Sequence, residues 1–190
     1  MRRSGDDRGR ADGARWRLVL VSCEAFDNYP PGLAGWIAAR SAEHPGGLAI
    51  MAQTLRFRPL RQLPATFGRM SKRGLPDDLL DDWLRPLRRP EIRRDLRKYA
   101  GDTKRGKRDL LAASDALPSF DRPVLVVWAA EDRLMPPEHG RRLAHLFPNS
   151  RLVEISDSYT LVPEDQPALL AAQLRTFISE TAARHEPQSS

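Results

Sequence analysis

With 190 residues, 29% of them charged and 41% hydrophobic, the chain has the make-up of one globular domain that can bury a core. No apolar run approaches the roughly 18 residues of a membrane span, and the only apolar run near the N-terminus, Leu18 to Val21, is too short for a signal segment, so a cytoplasmic protein is expected. The net charge of +6 does not imply nucleic acid, because only four of the 31 cationic residues are lysine, the arginines alternate with acids as in Arg93-Arg-Asp-Leu-Arg-Lys98, and no nucleic-acid signature accompanies them.

Residues 1–15 mix Arg, Asp and Gly without apolar periodicity and are expected to form a disordered basic tail. Residues 16–30 then hold a first core strand, Leu18-Val-Leu-Val-Ser-Cys23, and a turn-rich loop from Glu24 to Gly32. Cys23 closes that strand and reads as a buried, inert thiol. With one cysteine and four scattered histidines, neither a disulfide framework nor a structural zinc site can be assembled within the chain, and no cofactor is expected.

From residue 31 to 117 the pattern is helical, punctuated by Pro and Gly. A short helix is expected over Pro59–Phe67. Another is expected over Leu75–Leu84, where Pro76 and the acids Asp77 and Asp78 suit a helix N-terminus. Pro90 opens a helix through Tyr99, and a further one spans about residues 108–117. Residues 118–182 alternate strand 123–128, helix 137–147, strand 151–155 and helix 166–180. Such alternation implies right-handed crossovers and a parallel sheet. The large helical insert between the first two strands reads as a lid, since long structureless loops are uncommon in compact domains. Residues 183–190 are read as a second disordered tail.

Three segments carry a family resemblance: Arg122-Pro-Val-Leu-Val-Val-Trp-Ala-Ala-Glu-Asp132, Pro136-Pro-Glu-His-Gly-Arg-Arg-Leu-Ala144, and Arg151 through Pro167. Together with the order strand, helical lid, strand, acid, helix, strand, helix, they resemble the C-terminal part of an α/β-hydrolase, the superfamily of esterases and haloalkane dehalogenases. The resemblance implies a partial α/β-hydrolase fold: about three parallel strands with flanking helices and an inserted lid. It also implies hydrolysis of an ester, amide or carbon–halogen bond in a small apolar substrate. In that family a nucleophile attacks the substrate, a histidine is the base, and a carboxylate orients the histidine. Asp132 falls on the usual acid position, with a helix-entry turn residue as the alternative reading. Glu24 stands at the strand end where the dehalogenase branch places its acid, or is a solvated loop acid.

Two departures stand beside the match. In Ser158-Tyr-Thr160-Leu-Val-Pro163, Thr160 occupies the position of the family histidine, and threonine has no group that titrates near neutrality. His139 and His145 read as surface helix residues rather than displaced bases, and His44 and His185 take no role. No serine has glycines two residues away on both sides. Gly5-Asp-Asp7-Arg-Gly9 has the spacing of an aspartate nucleophile elbow but no room for the strand that must precede it.

The first five strands, elbow and oxyanion hole of the family are therefore unmatched, and the chain reads as a truncated or non-catalytic member. The alternative is a binding or protein-interaction module that keeps the lid pocket. Trp36, Phe57, Phe67, Met70 and Trp83 are candidate pocket residues or lid core. The open edge of strand 18–23 is an expected site of self-association.

Overall fold

The computed structural model describes residues 16–183; the N-terminal Gly5-to-Gly9 motif, the expected tail 1–15, His185 and all but the first residue of the expected tail 183–190 lie outside them. Three parallel strands form one sheet in the order β1-β2-β3. They are β1 (Leu18–Val21), β2 (Val124–Ala129) and β3 (Ser150–Ile155). Leu18 pairs with Val124 and Val124 with Ser150. The expected three-stranded parallel sheet is present, with strand bounds moved by one or two residues.

β2 is central, and each of its six residues is at most 1% exposed. Its side chains alternate between two cores, as a pleated strand requires. Val124, Val126 and Trp128 pack with Phe26, Leu134, Leu143 and Phe147 on one face. Leu125, Val127 and Ala129 pack with Val162, Leu170 and Phe177 on the other. Each of the larger side chains is worth about 1.5–3 kcal/mol of burial. A parallel sheet must be covered on both faces, which explains why β2 is uniformly apolar rather than alternating.

Between β1 and β2 run α1 (Gly32–Glu43), α2 (Gly47–Thr54), α3 (Arg58–Arg61), α4 (Asp77–Leu84), α5 (Pro90–Ala100) and α6 (Thr103–Ala116). The helix expected over 59–67 is only one turn long, and turns follow it to residue 70. Thr66, whose hydroxyl donates to the Leu60 and Arg61 carbonyls, closes that turn and competes with helix continuation. α6 begins five residues earlier than expected because the Asp102 side chain caps it, accepting from the Arg105 N–H.

The insert is stapled by Arg61, whose side chain is almost fully buried. It donates to the Leu55 carbonyl at 2.6 Å, the Asp77 carbonyl at 3.3 Å and the Asp81 carboxylate at 2.7 Å. After β2 come α7 (Pro137–Leu146), β3, α8 (Val162–Asp165) and α9 (Pro167–Ala183). Gly140 on α7 lies so close to β2 that a Cβ there would stand 2.6 Å from Trp128 Cδ2. Among the described residues no helix is long and apolar enough to cross a membrane.

Candidate functional site at the C-terminal end of the sheet

β2 ends at Ala129, and the turn that follows delivers Asp132 to the carboxyl edge of the sheet, where ligands of open α/β sheets gather. Asp132 is held by its own loop. Its Oδ1 accepts from the Leu134 and Met135 N–H groups, each at 2.9 Å. This is the chemistry of an aspartate turn that leads into a helix.

The same oxygen takes a third donor. Thr160 Oγ1 donates to it at 2.5 Å, across 28 positions of sequence. The other oxygen, Oδ2, is buried and has no hydrogen-bond partner among the described residues. Unpartnered buried carboxylate oxygens are uncommon.

The pair is positioned from beneath by Trp128, whose Nε1–H donates to the Met135 carbonyl at 3.0 Å and fixes the far end of the Asp132 loop. Leu161, next to Thr160, donates its N–H to the Met70 carbonyl at 2.8 Å, which ties the Thr160 loop to the insert.

Glu24 follows β1 and is half-buried, and burial pushes its carboxyl above the usual carboxylate value. It lines a wide-mouthed apolar cavity of about 1050 Å³ together with Thr160, Leu161, Leu134 and Met135 from the core. The insert contributes the opposite wall, including Trp36, Ile50, Phe67 and Met70. Of the candidate pocket residues, Trp36, Phe67 and Met70 line this cavity. Phe57 and Trp83 do not, and both face solvent. Asp132 stands behind Thr160 rather than in the cavity wall.

The histidines lie elsewhere. His139, on the first turn of α7, packs edge-on against Phe26 with ring centroids 5.3 Å apart, and its buried Nδ1 has no hydrogen-bond partner among the described residues. His145 is exposed on the last turn of α7. His44 lines the cavity from the end of α1. None of them hydrogen-bonds to Asp132. Among the described residues no group of three or more His, Cys, Asp or Glu is arranged to hold a metal ion. Cys23 sits at the end of β1, where burial, the largest effect, pushes its thiol up to about 11.

One buried carboxylate escaped the sequence reading. Asp165 is fully buried and accepts from Ser71 Oγ at 2.6 Å and Tyr159 N at 2.8 Å. It also accepts from Lys72 N at 2.9 Å and Arg73 N at 3.3 Å. Burial raises its pKa, but these donors outweigh burial and hold the carboxyl below its usual value. Outside this core, Lys72 bridges Glu131 and Asp157 while Arg73 pairs with Asp157. The loop at residues 71–73 is thereby locked to the Thr160 loop. The only sequence signal was the aspartate in Pro163-Glu-Asp-Gln-Pro167, which alone reads as a helix-end acid.

Comparison with known proteins agrees with this fold. The family model described as alpha/beta hydrolase fold matches residues 37–167. An uncharacterized hydrolase of Bacillus subtilis, YugF, is 30% identical over 108 residues, covering 55% of this chain and 36% of its own. Among solved structures, the 2-hydroxy-6-oxo-6-phenylhexa-2,4-dienoate hydrolase of Rhodococcus sp. strain RHA1 superposes with a TM-score of 0.65 at 15% identity, over 86% of this chain and 55% of that one. The haloalkane dehalogenase DbeA of Bradyrhizobium elkani gives 0.62 at 18% identity, over 88% and 60%. The chain thus spans about a third of the length of the curated relative it matches, and little more than half of these structures.

Proposed function

The chain belongs to the α/β-hydrolase fold family, and on that basis we propose that it binds a small apolar ligand under its helical insert, which acts as a lid, without hydrolysing it unaided. The observation that carries this reading is the Asp132–Thr160 hydrogen bond. By the resemblance, Asp132 stands at the family's acid position, and two backbone amides aim its Oδ1. What it orients is a hydroxyl that can donate a hydrogen bond but cannot take up a proton near neutral pH. In this reading the Thr160–Asp132 bond stands where an acid would meet its base, without a group that can shuttle the proton. Among the described residues no serine or aspartate elbow follows a strand, so these residues bring no nucleophile of their own. The protein works in the cytoplasm, as a pseudoenzyme by this account.

The test is a titration with p-nitrophenyl butyrate, a small apolar ester, read in two channels. Saturable quenching of tryptophan fluorescence, with the Trp36→Phe variant losing most of the signal, reports binding beneath the lid. Nitrophenolate release should match buffer alone. Release well above that background, abolished by Asp132→Asn, would sink the proposal.

A second reading is favoured by β1. It lies at the edge of the sheet and pairs only with β2 among the described residues. Further strands added there, with a nucleophile and base of their own, would complete a hydrolase of esters, amides or carbon–halogen bonds. Asp132 or Glu24 would then supply its acid. A second copy of the chain pairing along the same edge is the simplest occupant. Sedimentation of the isolated chain distinguishes these: a concentration-dependent dimer supports self-pairing, and a monomer at all concentrations removes it.

A further inference from the structure

A second pocket lies on the far side of the lid wall, and its chemistry is opposite to that of the apolar cavity. It holds about 410 Å³ and is lined by Arg56, Arg61, Arg88 and Arg93, with Asp81 as the sole acid. Its apolar side is formed by Ala49, Ala52, Leu84 and Leu87. Leu84 and Leu87 also line the larger cavity, so the two spaces are back to back across α4 and the 3₁₀ turn Arg85–Arg88 that follows it.

The charges in this pocket do not cancel. Asp81 is already engaged by Arg61 at 2.7 Å and by Arg58 at 3.6 Å. Arg93 spends its Nη1 on the Leu87 and Arg88 carbonyls, and Arg56 bonds only the neutral Gln53 amide. Arg88 has no ion pair within 4 Å among the described residues. Arg56, Arg88 and Arg93 therefore face the pocket without a direct ion pair among the described residues, with Asp81 acting on Arg88 only at longer range. Other arginines on the same insert, such as Arg40 and Arg85, each have a carboxylate three residues away.

The pocket is also built rather than incidental. Its floor is the buried Arg61, fixed by donors to two backbone carbonyls and Asp81, and Arg93 is pinned by two carbonyls, so neither fork must be ordered on binding. Converging planar guanidinium forks suit a multiply charged oxyanion better than a single carboxylate. The volume exceeds that of a bare phosphate ion, and the alanine and leucine wall suits a short apolar body.

We propose that this pocket binds a small organic phosphate, a monoester whose phosphate meets Arg56, Arg88 and Arg93 and whose apolar body lies against Leu84 and Leu87. It is independent of the ligand proposed for the apolar cavity. The test is calorimetric titration of the full chain with phenyl phosphate, inorganic phosphate and benzoate. Phenyl phosphate should bind saturably and at least tenfold more tightly than either of the others, and its affinity should fall with added salt. The double substitution Arg56→Ala/Arg88→Ala should weaken it at least tenfold while leaving the melting temperature unchanged, since both side chains are exposed. The Lys72→Ala variant, away from the pocket, should bind like the parent. Absence of saturable binding at millimolar phenyl phosphate, benzoate or inorganic phosphate binding as tightly, or full affinity in the double variant would each overturn the assignment.

Discussion

Replacing Asp165 by asparagine changes one oxygen into an amino group and should cost far more than its size suggests. The carboxylate takes Ser71 Oγ and the Lys72 N–H on one oxygen, and the Lys72 and Tyr159 N–H groups on the other. Asparagine has one acceptor oxygen, so whichever way its amide turns, an NH₂ faces a backbone N–H. One charge-assisted bond is lost, worth about 1.5–3 kcal/mol, and a buried donor is left opposed. A loss of about 2–4 kcal/mol is expected, which for a chain of this size lowers the melting temperature by roughly 5–15 °C.

The pH dependence fixes the sign. Because the folded carboxyl titrates below its usual value of 3.8, its contribution is fully present above that value and disappears as pH falls through the folded one. The gap between parent and variant should therefore be constant from about pH 5 to 8 and close only in acid. Urea unfolding at several pH values measures the gap. Hydrogen exchange locates it: the amides of Lys72, Arg73 and Tyr159 should lose protection before those of β2. A variant within about 0.5 kcal/mol of the parent at pH 7, or a gap that closes as pH rises, would refute the reasoning.

Other perturbations follow from the same contacts. Thr160→Val keeps the shape but strips Asp132 Oδ1 of its side-chain donor while Oδ2 is already unpartnered; about 1–2 kcal/mol should be lost, read by thermal melting. Gly140→Ala forces a methyl group into Trp128 and should cost about 1–3 kcal/mol, with a shift in Trp128 emission. Truncating Arg61 to alanine removes the staple of the insert and leaves the Leu55 and Asp77 carbonyls without its donors, at about 1–3 kcal/mol by urea unfolding. The Cys23 thiol, held at about 11 by burial, should alkylate with iodoacetamide at a rate still rising above pH 9, rather than levelling near the ordinary thiol value.

The sheet was legible because its evidence is local. Val124 to Ala129 is an uninterrupted apolar run, and only a strand covered on both faces tolerates one. Asp132 was singled out by the same local evidence, as one of the two acids, Glu131 and Asp132, that stand just beyond that run. Thr160 was marked by its place in a motif, but its bond to Asp132 depends on how two loops meet across the end of the sheet. Asp165 and Arg61 were not legible. Each is a charged residue in a polar stretch, and only the fold shows that donors or acceptors from distant segments converge on it. The apolar cavity was anticipated by residue type alone, which selected Trp36, Phe67 and Met70 but could not separate them from Phe57 and Trp83. Their separation depends on where each helix or turn sits around the cavity rather than on burial, since Trp36 at its mouth is at least as exposed as Trp83 away from it, and in an insert of short helices broken by Pro and Gly the apolar period is too brief to tell.

The position of β1 in the chain also sets the order in which the sheet can assemble. Contacts between β1 and β2 join residues as far apart as Ser22 and Ala129, 107 positions, whereas Glu131 and Asp157, bonded at the ends of β2 and β3, are 26 apart. The entropy of closing the longer loop exceeds that of the shorter by about 1 kcal/mol if the insert is still unstructured. β2, α7, β3 and α9 should therefore form first as a folding nucleus, and β1 should join only after the insert has compacted and drawn its ends together. Until then β2 has a free edge of six consecutive apolar residues. Crowding or slow compaction of the insert would expose that nascent edge to neighbouring chains, so by speeding the insert's closure the arginine staple at Arg61 should shorten that exposure.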